Sequence, residues 1–240
     1  MIMQKIRRSK KTMRVPLIIM TLVLSFGLIG SFAIWSAPDL NNNAGTKKVT
    51  PEEQIKYLQS SIDTWEKSLI EKPKDFSLLK SIADVRNEQA GLYAQTGNQT
   101  KSIEVYTKGL ENYLAALDNA PAELNNKGKS DLLVKAAMCA WQGQQFNTAE
   151  TLFKKARGIS PSDYATVYSY VMFLISGKQN FQLAKEELSQ YKTALKSGDP
   201  QLESVNNLIK GIEEIEKQNS KKNNDTKNKK DTGKSEEKSE

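Results

Sequence analysis

The chain has 240 residues, of which only 38% are hydrophobic and 26% charged, so either part of it is non-globular or its core is thin. Histidine is absent and cysteine occurs once. That excludes a Ser-His-Asp triad, removes the commonest metal ligand and leaves no intramolecular disulfide. The formal charge of +7 belongs to the ends. Residues 1–14 carry six basic side chains and no acid, residues 218–240 carry seven lysines and five acids, and residues 36–217 hold 22 basic against 23 acidic groups. A nearly neutral central region is not expected to bind nucleic acid.

After the basic segment 1–14, Val15 to Trp35 runs for 21 residues without a charge. As a helix it spans about 31 Å, which matches a hydrocarbon core of roughly 30 Å. Signal peptides usually have a shorter apolar region, so the stretch reads as an uncleaved signal-anchor, although Ser31-Phe-Ala33 satisfies the small-x-small cleavage rule. The six positive charges ahead of it place the N-terminus in the cytoplasm and the rest outside, and Trp35 suits the far headgroup region. The expected location is therefore a bacterial cytoplasmic membrane, crossed once. Gly27-x3-Ser31 is compatible with helix dimers and a homo-oligomer.

Residues 36–49 read as a polar linker with Pro38, Asn41–Asn43 and Gly45. Thr50-Pro51-Glu52-Glu53 is a capping box with proline in the first turn, and Ile55, Leu58, Ile62, Trp65 and Leu69 continue at helical spacing until Lys72-Pro73. From Phe76 a second helix carries Leu79, Ile82, Ala83, Ala90 and Tyr93, with Arg86 breaking the apolar row. Gly97-Asn98 turns the chain into a third helix through Ser102, Tyr106, Gly109, Tyr113 and Leu117. Ala120 to Lys129 reads as a loop, with Ser130 as cap for a helix from Asp131 to about Gln142. Gly143 leads into Ala149–Pro161, and a further pair follows: about Ser162–Ser176, then a helix with Ala184, Leu188 and Tyr191. Asp199-Pro200 opens a last helix with Leu202, Val205, Leu208, Ile209, Ile212 and Ile215 on one stripe, suited to covering the end of an array. Residues 218–240 have no aliphatic or aromatic side chain and are expected to be disordered.

Ala149, Phe153, Ala156 and Pro161 place small, aromatic, small and proline residues at fixed intervals on one helix. This resembles the second half of a tetratricopeptide repeat. Ser61-Trp65-Ser68-Pro73, Ser102-Tyr106-Gly109 and Ala184-Leu188-Tyr191 echo it, and Ala149 lies 35 residues before Ala184, near the family's 34-residue period. The expected fold is all-α: a transmembrane helix followed, over 50–217, by a solenoid of antiparallel helix pairs with a C-terminal capping helix.

The resemblance implies a groove lined by the first helix of each pair, which puts Asp131, Val134, Met138, Trp141, Thr166, Ser169 and Phe173 on a partner-binding face. Core packing is the competing reading for Met138, Trp141 and Phe173. Cys139, among Val134, Ala136 and Ala137, reads as a small core residue. The basic and asparagine residues with which some family members hold a peptide's terminal carboxylate are missing at the matching places. An apolar or amphipathic protein or peptide segment is therefore the expected partner. No cofactor, metal site or catalytic set is expected. Glu186-Glu187 and Glu213-Glu214 are sequence neighbours that point apart on a helix. The expectation is thus a membrane-anchored interaction scaffold acting in envelope complex assembly. The alternative is a self-assembling structural envelope protein whose charged tail touches wall polymer or lipid.

Overall fold

A computed structural model of the chain describes residues 49–232, with side chains through Asn219. The expected membrane span Val15–Trp35, the basic segment 1–14 and nearly all of the linker lie outside the described residues. Among those described, no helix is long and apolar enough to cross a membrane.

The described chain is all helical. Its helices are α1 (Pro51–Glu71), α2 (Phe76–Gln95), α3 (Gln99–Asp118), α4 (Asn126–Gln142), α5 (Phe146–Ile159), α6 (Tyr164–Ser176), α7 (Phe181–Thr193) and α8 (Gln201–Thr232). Each packs on the next, and α4 also packs on α6. The core follows this order as a thin continuous seam from Leu79 and Ala83 in α2 to Val205 and Ile212 in α8.

Local chemistry sets the boundaries. Thr50 Oγ1 accepts from the Glu53 N–H at 3.2 Å while the Glu53 carboxylate accepts from the Thr50 N–H at 2.9 Å, completing the capping box. Asp75, Asn98, Asn125, Asp163 and Asn180 cap five more helices, each accepting from the N–H three residues on. Gly97 makes the α2–α3 turn at φ 81°, where a side chain would be strained.

The small-aromatic-small positions differ in burial. Ala149, Phe153 and Ala156 are inaccessible to solvent, as are Ala184 and Leu188, with Tyr191 nearly so. Ser102 is buried too, and its hydroxyl donates to the Ala90 carbonyl at 2.8 Å, joining α3 to α2. In α1 the pattern opens out: Ser61 and Trp65 are half-buried and Ser68 is exposed.

Two expectations need correction. α4 begins five residues before Asp131, because Asn125 Oδ1 accepts from the Gly128 N–H at 2.8 Å and starts the helix there. Ser130 is no cap: it is buried, and its hydroxyl reaches the Ala156 carbonyl at 3.2 Å. Helix α8 runs to Thr232, past the expected helix end near residue 217. No glycine or proline interrupts residues 212–232, and the lysines and glutamates there are good helix formers. Arg86, which breaks the apolar row of α2, is accommodated by hydrogen bonds to Glu66 on α1 and Asn112 on α3.

Candidate interaction surface

The surface is built on the first helices of successive pairs, α2, α4 and α6. On α4, Asp131, Val134, Met138 and Trp141 are half-buried, as is Ser169 on α6. Val134 and Met138 rest on the core with part of their surface free. Lys127 bridges Asp131 at 3.1 Å and Asp163 at 3.3 Å. The result is a mixed strip, with apolar patches between paired charges.

Thr166 and Phe173 do not belong to that strip. Thr166 is 1% exposed; it lies where α4 meets α6, 3.1 Å from the Ser130 hydroxyl, and donates to Asp163 at 2.7 Å. Phe173 is fully buried, with ring centroids 5.2 Å from Phe153 and 5.7 Å from Trp141, the latter edge-on. Both are corrected to core residues. The reason is that α4 and α6 approach closely enough to cover this side of α6. Trp141 is partly consumed by the same contact.

A charged node that sequence reasoning missed joins three helices. Asp84 on α2 accepts from Tyr113 of α3 at 2.6 Å, from Lys135 of α4 at 2.7 Å and from Lys80 at 2.8 Å. Burial opposes its charge, but the bonds from Lys135, Lys80 and Tyr113 outweigh that and hold the carboxyl below its ordinary value. The i,i+4 pair Lys80–Asp84 was readable from sequence; the partners 29 and 51 residues away were not. Asp163 behaves alike: burial opposes its charge, and bonds from Thr166 and Lys127 more than compensate.

Cys139 is buried as expected. Burial foremost, then the nearby Asp84 charge, pushes its thiol up to about 12, so it is a poor nucleophile at neutral pH. Its Sγ lies 3.4 Å from Asn87 Oδ1. No group of three or more His, Cys, Asp or Glu suited to a metal occurs among the described residues.

Fold and surface together define the class: an all-helical, repeat-like array of antiparallel pairs with a mixed polar and apolar strip along its first helices. No family model matches the chain and no curated protein sequence matches it. Among solved structures it is similar in outline to BtubC (BKLC) from P. vanneervenii, at 13% identity and a TM-score of 0.46. That match covers 68% of this chain and 65% of the other, so this chain spans less than two thirds of that protein's length.

Proposed function

We propose that the protein is a tetratricopeptide-type scaffold, anchored by Val15–Trp35 in a bacterial cytoplasmic membrane, whose helical array outside the membrane holds a protein partner. The observation that carries this reading is that α4 and α6 keep Asp131, Val134, Met138 and Ser169 partly accessible beside a buried core, while α5 exposes Phe146. Met138 supplies adaptable apolar contact, and Lys127, Lys135 and Asp131 set polarity around it. An amphipathic helix or extended segment is the matching ligand chemistry. The apolar stretch ahead of Thr50, with its six preceding positive charges, supports the anchored, N-terminus-in arrangement.

The test is site-specific photocrosslinking in membranes of cells expressing the full chain. A photoreactive residue at Met138 is expected to capture a discrete protein, and one at Thr151, exposed on α5, to capture none. Crosslinks from Thr151 alone would overturn the assignment of the face.

A further inference from the structure

The corner between α1 and α2 repeats the corner between α5 and α6 atom for atom in its backbone bonding. Lys72 N–H donates to Ser68 at 3.1 Å, Asp75 N–H to Lys72 at 3.1 Å and Leu79 N–H to Asp75 at 3.0 Å. At the second corner Ser160 donates to Ala156 at 3.0 Å, Asp163 to Ser160 at 3.2 Å and Val167 to Asp163 at 3.1 Å. The turn residues match as well, Lys72 at φ −131°, ψ 68° and Ser160 at φ −129°, ψ 68°. Asp75 and Asp163 cap the following helix in the same way. Trp65, Ser68, Asp75 and Leu78 therefore stand where Phe153, Ala156, Asp163 and Thr166 stand.

Among the described residues a helix covers the second corner and none covers the first. Over α5–α6 lies α4, which places Lys127 on Asp163 and Ser130 on both the Ala156 carbonyl and Thr166. Over α1–α2 the same positions line an open cleft of about 500 Å³, bounded by Trp65, Ser68, Glu71, Asp75, Leu78 and Ser81. Phe153 is fully buried while its counterpart Trp65 is half-buried.

We propose that this cleft seats an amphipathic helix of a partner protein, bearing lysine or arginine one turn ahead of a small residue, as α4 is seated on α5–α6. The chain leading into α1 is ill suited to the place: residues 36–48 contain Pro38, three asparagines and Gly45, while α4 needs 17 residues of helix. The last helix of a second copy is ill suited too. Val205 and Ile212 are buried, and α8 packs on α7; its outward positions Glu203, Asn207, Lys210 and Glu214 are polar and exposed. Glu71 and Asp75 against Lys72 leave the cleft with a net negative charge, complementary to a basic residue on the incoming helix. The inference rests on the α1–α2 corner and does not depend on the reading of the α4–α6 face.

The probe is a fluorescent peptide of residues 126–142 with Cys139→Ser, locked as a helix by a side-chain staple, titrated into the detergent-solubilised full chain. Saturable one-to-one binding is expected. Ser68→Trp, which plugs the cleft from an exposed position on α1, should weaken it at least about tenfold, or about 1.4 kcal/mol. Ser77→Trp, across the cleft on α2, should do the same and guards against a local defect in α1. Asp75→Asn in the protein and Lys127→Glu in the peptide should each weaken binding roughly two- to fivefold, on the order of an exposed ion pair, and their effects should not add. No saturation at millimolar peptide would overturn the proposal, including the case where the protein's own upstream chain fills the seat. So would binding indifferent to both tryptophan plugs in proteins whose circular dichroism is unchanged.

Discussion

Phe153 and Trp65 occupy equivalent places in the two corners, and truncating each measures what a covering helix contributes. Phe153 is fully buried, stacked on Tyr170 at 5.7 Å and tilted against Phe173 at 5.2 Å. Phe153→Ala removes the transfer energy of a whole ring, leaves a cavity in the core, and breaks two aromatic contacts. The expected cost is about 3–5 kcal/mol. At roughly 2–4 °C per kcal/mol for a domain of this size, Tm should fall by about 6–20 °C. Trp65→Ala removes a larger side chain, but a partly exposed one, and should cost about 1–2 kcal/mol. Urea unfolding followed by circular dichroism gives both values through the linear extrapolation, and unchanged slopes confirm that the same surface unfolds. A difference between the variants of less than about 1 kcal/mol would refute the reasoning, because it would mean that α4 adds little to the burial of Phe153 or that Trp65 is covered after all.

Two further perturbations test the interhelix contacts. Asp84→Asn leaves the Tyr113, Lys135 and Lys80 donors facing a neutral amide and should cost about 1–2 kcal/mol at pH 7. Because the folded carboxyl titrates below the ordinary 3.8, its stabilisation is complete above that value and is lost as pH falls through the depressed one. The gap between wild type and variant should therefore narrow as pH falls below 3.8 and close once the depressed value is passed, and an undiminished gap in fully acidified protein would remove the node's charge from the account. The glycines at two helix contacts should respond in opposite ways to alanine. At Gly109 an added methyl meets Cys139 Sγ at 3.5 Å and Arg86 Cβ at 3.6 Å, ordinary contacts, so Gly109→Ala should stabilise by about 0.5–1 kcal/mol through helix propensity. At Gly177 it meets the Phe173 carbonyl and Trp141 Nε1, each at 2.9 Å, so Gly177→Ala should displace Trp141, shift its emission and destabilise.

The spacing of Ala149, Phe153 and Ala156 carried real information because small residues on one helix face are useful only where another backbone comes close. The structure buries all three completely. The same spacing at Ser61, Trp65 and Ser68 could not reveal that no described helix covers it, since a pattern within one helix is blind to whether its neighbour exists. Thr166 and Phe173 show the same limit from the other side. Counting along a first helix gives an angle around its axis, but whether that angle meets solvent or α4 depends on how closely α4 and α6 approach, which is set by the buried Ser130–Thr166 contact 36 residues apart. Ser130 itself misled because serine serves equally as a cap and as a small hydrogen-bonding core residue, and the competing cap, Asn125, lay five residues upstream. These misreadings share a cause with the open cleft at the α1–α2 corner. Where a first helix is present, polar residues at its seat are consumed by it, as Asp163 is by Lys127. Over α1, where no described helix lies, the counterpart Asp75 side chain accepts from the Leu78 N–H of its own helix. Among the described residues the α1–α2 corner thus shares the backbone bonding and cap of the α5–α6 corner, and a helix laid on it is what the proposed partner would supply.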